Sequence, residues 1–341
     1  MVLTSSSGCG SGFSRTSSRQ RSSLCGTALL LLSGTAFASP FPTRDQNPLL
    51  AGFGIPMPMA SGWETDGRWR IDGAFNWGNS AFVQEASDEA LYVDAETREL
   101  RVTIGRAVSD RWAVQLQLPY RYTGAGNLDS FIDSWHDFFG LPEGERPNMP
   151  RDQFRLAYER DETLVFDYTD SREGLADVSL DVGYRWISTP DATVAAWLSL
   201  KLPTGDSDDL TGSGATDIAL TLAGERRFGD VWSAYGQFSI TALGEGDLLP
   251  AQQRDFVISG LAGLGVNVWR GLELKVQFDA HSAAFEDTTL DYLGDTVLLT
   301  VGGAWKYQSG WQLDFGVSED IVVEGSPDVV FVLGMSRRAG R

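Results

Sequence analysis

Apolar and polar residues alternate in runs of about ten residues along most of the chain after residue 66. The run 272–281, LELKVQFDAH, is typical, because every second side chain is apolar and those between are polar or charged. Successive side chains of a strand point to opposite faces, so each run has one apolar and one polar face. Strands of this length and pattern are typical of a transmembrane β-barrel, whose apolar face meets lipid and whose polar face lines the lumen.

The connections between the predicted strands alternate in length. Short turns fall at 109–110, 189–191, 229–230, 270–271 and 308–310, and longer polar loops at 204–216, 244–255, 282–294 and 321–328. Six tryptophans lie close to the short turns, as a girdle at one bilayer interface requires. They are Trp112, Trp186, Trp232, Trp269, Trp305 and Trp311. A soluble β-sandwich has no reason to place tryptophans at one end of successive hairpins, so these features favour the membrane barrel.

The predicted fold is all-β, an antiparallel up-and-down transmembrane β-barrel over residues 67–341. We predict about 12 strands if segments 153–160 and 164–168 form an extracellular hairpin, because both are short and charged. If they cross the membrane, the number is about 14. Both numbers are even, which places the two ends of the barrel on the periplasmic side.

The first 38 residues have the pattern of an export signal. Arg15, Arg19 and Arg21 precede a short apolar run over 24–37, and Ala36-Phe37-Ala38 has the small-x-small form of a cleavage site. We therefore expect residues 1–38 to be removed and residues 39–66 to form a periplasmic N-terminal segment. The expected location is the outer membrane of a Gram-negative cell. The expected partners are outer-membrane lipid, lipopolysaccharide and, during insertion, the barrel-assembly machinery.

Charge narrows the choice of partners. The chain has 27 Lys and Arg against 46 Asp and Glu, a formal net charge of −19. A strongly acidic chain repels polyanions, so nucleic acid is not an expected partner. The sequence contains no phosphate loop, zinc-ligand spacing or dinucleotide fingerprint, and we expect no cofactor.

One segment breaks the strand pattern. Residues 127–141 carry apolar side chains at helical spacing and lie in the longest loop, 123–152. Three positions are open for this helix: folded into the barrel mouth as a gate, packed on the outer rim, or lying in the outer-leaflet interface. Long loops with their own structure tend to be functional. The candidate gate or pore-mouth residues are Asp129, Phe131, Asp133, Trp135, His136 and Phe139.

Three of these residues are also weak candidates for a metal site. Asp129, Asp133 and His136 occupy one arc of the predicted helix, and two carboxylates with an imidazole are suitable divalent-cation ligands. A solvated polar helix face needs no ligand, and this interpretation is the more economical one.

Several short segments resemble an uncharacterised proteobacterial family, domain of unknown function 3187. They are 47–49, 94–97, 126–132, 135–137, 139–142, Arg146, 174–177, 202–206, 212–217, 319–320 and 326–328, spread over nearly the whole chain after residue 38. The family is similar to outer-membrane barrels, which implies the same fold here. The resemblance leaves the function open.

Three functions remain. The first is a narrow or gated channel for small molecules, with a charged lumen. The predicted lumen-facing residues are Arg70, Arg101, Arg121, Arg185, Lys201, Glu273 and His281. The second is a closed structural or binding barrel. The third, a lipid-modifying enzyme, is disfavoured because His281 is followed directly by Ser282, and adjacent strand residues point to opposite faces.

Overall fold

The computed structural model describes residues 39–140, 149–307, 310–321 and 325–337. The expected export signal, 1–38, lies outside these residues. The described residues form one α-helix and fifteen β-strands. The elements are β1 (Trp69–Glu85), β2 (Glu89–Ala107), β3 (Trp112–Gly124), α1 (Asp129–Phe139), β4 (Arg155–Arg160), β5 (Thr163–Tyr168), β6 (Arg172–Leu175), β7 (Val178–Ser188), β8 (Ala192–Leu202), β9 (Asp217–Phe228), β10 (Trp232–Ala242), β11 (Phe256–Trp269), β12 (Leu272–His281), β13 (Thr296–Lys306), β14 (Trp311–Asp320) and β15 (Val329–Arg337). No helix in the described ranges is long and apolar enough to cross a membrane.

Twelve of the strands form a closed antiparallel barrel. Each of β1, β2, β3 and β7 to β15 pairs with the next one in this order. The last strand returns to the first, with Gly73 opposite Met335 and Asn79 opposite Val329. Closure satisfies the backbone hydrogen bonds of both edge strands. The predicted barrel and its twelve strands are therefore confirmed.

The three remaining strands extend the sheet at the long-loop end. Strands β1 and β2 have 17 and 19 residues and run beyond the barrel wall. The β4–β5 hairpin pairs with the protruding part of β2, and β6 pairs with the end of β3. The segments 153–160 and 164–168 thus form a hairpin outside the wall, which confirms this part of the prediction.

The two faces of the wall differ as the alternation predicts. Leu220 on β9 is 61 % exposed, whereas its neighbour Thr221 is fully buried on the inner face. The six tryptophans predicted to form the girdle are at strand ends beside the short turns, where Trp186 and Trp269 are exposed and Trp311 is half-buried. An apolar exterior around a polar interior is the reverse of a soluble protein and suits a bilayer.

Residues 39–63, which we call the plug segment, lie inside the barrel. Ser39 begins near the short-turn end, where its carbonyl accepts a hydrogen bond from Lys275 on β12. Asn47 reaches the long-loop end and donates to the carbonyl of Tyr292. The chain then returns to the short-turn end, where Arg185 donates to the carbonyl of Trp63. The plug segment therefore passes through the lumen twice.

This placement corrects the predicted periplasmic location of residues 39–66. The plug segment has only two charged residues, Arg44 and Asp45, so its burial in the barrel removes few charges from water. A barrel larger than eight strands has an interior that its own side chains do not fill, which leaves room for it. Of the described residues before β1, the linker 64–68 is exposed and lies outside the lumen.

Candidate functional site

The tip of the plug segment is a compact turn held by Arg44. The guanidinium of Arg44 donates to the carbonyl oxygens of Ala51 (2.8 Å) and Phe53 (3.1 Å), and also to that of Ile55. The amide of Ala51 donates to the carbonyl of Asn47. Arg44 lies in the outgoing limb, the part of the plug segment before the turn, and its acceptors lie at the turn and in the returning limb that follows it. This one cation therefore joins the two limbs.

The tip docks on a buried lysine of the wall. Lys201, at the end of β8, donates to the carbonyl of Gly52 at 2.9 Å. Its ammonium group also lies 2.8 Å from Asp177 and 3.0 Å from Asp217, and it contacts the hydroxyl of Ser213. Two carboxylates thus hold one cation, which reaches the plug segment through a neutral main-chain oxygen.

Two glycines make this approach possible. A Cβ atom at Gly52 would lie 2.8 Å from the carbonyl carbon of Gly212, and one at Gly54 would lie 2.7 Å from the Cβ of Asp217. Both distances are far below van der Waals contact. The amide of Gly54 donates to Asp217 at 2.7 Å. Glycine at these two positions therefore allows the plug backbone to touch the wall.

A second charged cluster lies beside the tip. Glu99 on β2 accepts from Arg101 at 2.6 Å and from Arg121 on β3 at 2.7 Å. Arg121 also donates to the carbonyl of Ala51 in the plug segment at 2.7 Å. All three charged side chains are buried, so they depend on each other and on the plug segment to replace water.

The returning limb is extended and binds the wall through its main chain. The carboxamide of Gln237 on β10 accepts from the amide of Met59 (2.7 Å) and donates to the carbonyl of Met57 (3.2 Å). Pro56 and Pro58 favour the extended polyproline conformation, which leaves backbone groups free for such contacts. The Gln237 side chain therefore binds both an amide and a carbonyl group of the same extended segment.

Two further contacts fix the returning limb near the short-turn end. The indole of Trp197 donates to the carbonyl of Ala60 at 2.8 Å. The hydroxyls of Ser61 and Thr193 lie 2.6 Å apart. These contacts place the end of the plug segment against β8.

The outgoing limb binds β12. The ammonium of Lys275 lies 4.0 Å from the ring centre of Phe41 and 2.6 Å from Asp314. The amide of Phe41 donates to Gln277 at 2.8 Å. Farther along the same strand, His281 contacts the carboxylate of Asp45 at 3.0 Å.

His281 is fully occupied by these interactions. Its Nε2 faces Asp45 and its Nδ1 faces the carbonyl of Ser282 at 3.0 Å. The hydroxyl of Ser282 accepts from the amide of Ile258 and does not meet the imidazole in these contacts. A general base must be within hydrogen-bond reach of its nucleophile, and here the histidine instead holds the plug segment to the wall.

The other residues predicted to face the lumen also lie on the inner face. Arg70 pairs with Asp72 at 2.6 Å near the short-turn end, and Glu273 pairs with Lys306 at 2.9 Å. Arg185 packs its guanidinium over the ring of Trp63, 5.1 Å from the ring centre. These three charged residues are therefore engaged with other charges of the wall or with the plug segment.

The sequence reasoning missed the plug segment and the residues that hold it, chiefly Asp177, Asp217 and Gln237. Two signals were present in the sequence. The first was the low charge of residues 39–63, and the second was the resemblance of 174–177, 202–206 and 212–217 to one family. These three segments meet at Asp177, beside the docked tip.

The mouth at the long-loop end is closed by apolar side chains. Leu49, Leu50 and Phe53 of the tip pack into one buried cluster with residues of the extended strands and the loops, among them Phe82 and Phe285. Two cavities of about 30 Å³ each lie beside the plug segment, which is room for one or two water molecules. The lumen is closed in this structure.

Helix α1 lies on the outside of the barrel and not in its mouth. Leu128 and Ile132 pack against Val329, and the cluster continues over Trp77 and Phe331 on the outer faces of β1 and β15. The apolar face of α1 was compatible with all three predicted positions. In the structure it packs against the apolar outer face of β1 and β15. The hypothesis of an inward gate is therefore wrong for the described part of the helix.

The candidate gate and metal residues of α1 have other contacts. Asp129 accepts from the side chain of Asn79 (3.1 Å) and the amide of Asp152 (2.7 Å), and Asp133 pairs with Arg151 (2.6 Å). Phe131 packs edge-on against Phe331 on β15, with ring centres 5.7 Å apart. The side chains of Trp135, His136 and Phe139 lie outside the described residues. Within the described part of the chain no group of three His, Cys, Asp or Glu side chains is placed to hold a metal ion.

Ile132→Ala is expected to loosen α1 without opening the lumen. Ile132 is fully buried, and truncation of such a side chain to alanine costs about 2–5 kcal/mol. Hydrogen exchange of the α1 amides should become faster by at least tenfold, while the plug amides keep their protection. Ser130→Ala, at an exposed position of the same helix, is the control. Faster exchange of the plug amides in Ile132→Ala would contradict the outer placement.

Comparison with solved structures shows the same fold. The COG4313 outer membrane channel from Pseudomonas putida F1 aligns with a TM-score of 0.52 and 14 % identity, over 80 % of this chain and 95 % of that one. The KdgM porin has a TM-score of 0.41 and 7 % identity, over 79 % and 98 % of the two chains. The Pseudomonas putida toluene transporter TodX has a TM-score of 0.39 and 11 % identity, over 89 % and 96 %. The first likeness shows the fold, and the other two are too distant for any argument.

Sequence comparison identifies the family. No curated protein matches the chain significantly. The family model described as "Protein of unknown function (DUF3187)" matches residues 25–339, nearly the full length. The chain therefore belongs to the DUF3187 family.

Proposed function

We propose that this protein is an outer-membrane channel of a Gram-negative cell for small molecules, closed by its own plug segment. The observation that carries the proposal is that the plug segment fills the lumen and is held there by non-covalent contacts alone. The outer surface of the barrel is apolar and would contact lipid and lipopolysaccharide. The channel opens when the plug segment leaves.

Removal of the plug segment would leave a polar lumen, with the apolar loop residues of the cluster at its outer mouth. Side chains nearly fill a barrel of about eight strands, and one of sixteen or more has a wide channel. Twelve strands lie between these limits, so the open lumen would be narrow. Its wall carries polar side chains such as Asn76, Asp181 and Thr221, which water can hydrate.

The attachment of the plug segment favours exit toward the short-turn end. Ser39 and Trp63, at its two ends, both lie there, and the exposed linker 64–68 joins it to β1. Most of its contacts with the wall are hydrogen bonds, each worth about 1 kcal/mol because water replaces them. The apolar tip supplies the remaining attachment. We infer that the segment retracts into the periplasm.

Deletion of residues 41–61 tests the proposal. The deleted variant should conduct in planar bilayers with a stable unitary current, whereas the intact protein should be silent or open rarely. Heat-dependent migration on a denaturing gel provides the control that the deleted variant is a folded barrel. A variant that folds and carries no current would refute the channel.

One observation favours a second function, that of a closed structural or binding barrel. The apolar cluster at the mouth joins the tip to loops and extended strands, so part of the closure depends on the whole outer end. If the second function is correct, the variant without residues 41–61 would be unstable or would collapse, and it would carry no ionic current.

A further inference from the structure

The wall of the lumen recognises main-chain atoms of the plug segment. Arg121, Lys201 and Trp197 each donate to a carbonyl oxygen, and Asp217 and Gln277 each accept from an amide. Contacts of this kind do not depend on which side chain the bound residue carries. The lumen is therefore built to hold a polypeptide backbone.

The arrangement of donors and acceptors is selective for peptide. Gln237 accepts from one amide and donates to a carbonyl two residues earlier, Met59 and Met57, as a neighbouring strand would. Each residue of a peptide other than proline offers one donor and one acceptor at a fixed spacing. Hydroxylated solutes lack this fixed order, and a carboxylate offers acceptors only.

We propose that the open lumen binds an extended, apolar peptide in the place that the plug segment now occupies. The inference rests on the proposed function, since the site is free only when the plug segment has left. The pocket at the mouth that takes Leu49 and Phe53 would take the apolar side chains of the peptide. The polyproline-type limb around Pro56 shows the conformation that the wall accepts.

Calorimetric titration of the folded variant without residues 41–61 tests the proposal. Two synthetic peptides of nine residues are used. One copies residues 52–60, and the other is neutral and apolar, keeps glycine at the positions of Gly52 and Gly54, and differs at the other seven positions. A disaccharide and a short polyethylene glycol serve as non-peptide probes. Both peptides are expected to bind and the other probes are not. Gln237→Ala should weaken both peptides about tenfold, because it removes two hydrogen bonds.

Thr300→Ala is the matched control, since Thr300 is buried and its hydroxyl makes no hydrogen bond in the described structure. It should leave both affinities unchanged. Binding of the copied peptide alone would show self-docking only and overturn the proposal, as would no binding or equal binding of the disaccharide. Calorimetry measures binding and does not depend on ionic current. A failure of the peptide proposal can therefore be distinguished from a failure of the channel proposal.

Discussion

The Lys201→Met variant is expected to conduct where the intact protein is closed. Lys201 is buried between Asp177 and Asp217, and methionine keeps much of its volume without the charge. Removal of one partner from a buried ion pair costs about 3–5 kcal/mol, because the remaining charges stay buried. The carbonyl of Gly52 also loses its donor. Retraction of the plug segment lets water reach both carboxylates and relieves this cost.

If retraction recovers most of that energy, the ratio of closed to open channels falls about a hundred- to a thousandfold, since each 1.4 kcal/mol is a factor of ten. Current through planar bilayers measures this ratio. Lys306→Met is the matched control, because Lys306 pairs with Glu273 of the wall near the short-turn end. A Lys201→Met variant as silent as the intact protein would show that this ion-pair cluster does not hold the channel closed.

A disulfide between the plug segment and the wall is expected to abolish the current of Lys201→Met. A Cβ atom at Gly78 on β1 would lie 3.2 Å from the Cβ of Gln46, which precedes Asn47 near the long-loop end, so cysteines at these two positions are close enough to bond and to hold the far part of the plug segment in the lumen. Both native cysteines, Cys9 and Cys25, fall within residues 1–38, so no other thiol competes after cleavage of the expected signal. The oxidised variant should be closed, and a reductant should restore the current.

Single substitutions, Gln46→Cys or Gly78→Cys in the Lys201→Met background, control for effects of the cysteines themselves. They should conduct with and without oxidant. A gel shift under non-reducing conditions would report the cross-link. An oxidised, fully cross-linked protein that still conducts would show that the solute path does not require movement of the plug segment.

The wall of the barrel was predictable from the sequence because its signal is local. Alternation in a run such as 272–281 follows from one strand with lipid on one side, and turn lengths follow from the two ends of the barrel. The hairpin of β4 and β5 was predictable from short length and charge. Each of these inferences needs only neighbouring residues.

The plug segment was not predictable in the same way, because its contacts join distant parts of the chain. Ser39 meets Gln312, 273 residues away, and Met57 meets Gln237, 180 residues away. An extended proline-containing segment has no regular alternation of apolar and polar residues from which its position could be predicted. The position of α1 was equally hidden, since Leu128 and Ile132 give the same stripe for any apolar partner.

The distance along the chain between the plug segment and its partners has a consequence for biogenesis. Gln312 and Asp314, which meet Ser39 and Lys275 in one network, belong to the penultimate strand, and closure requires β15 to pair with β1. The docking site of the plug segment is therefore complete only after the barrel itself is complete. If the channel proposal is correct, the time between closure of the barrel and docking of the plug segment sets how long a newly inserted molecule conducts.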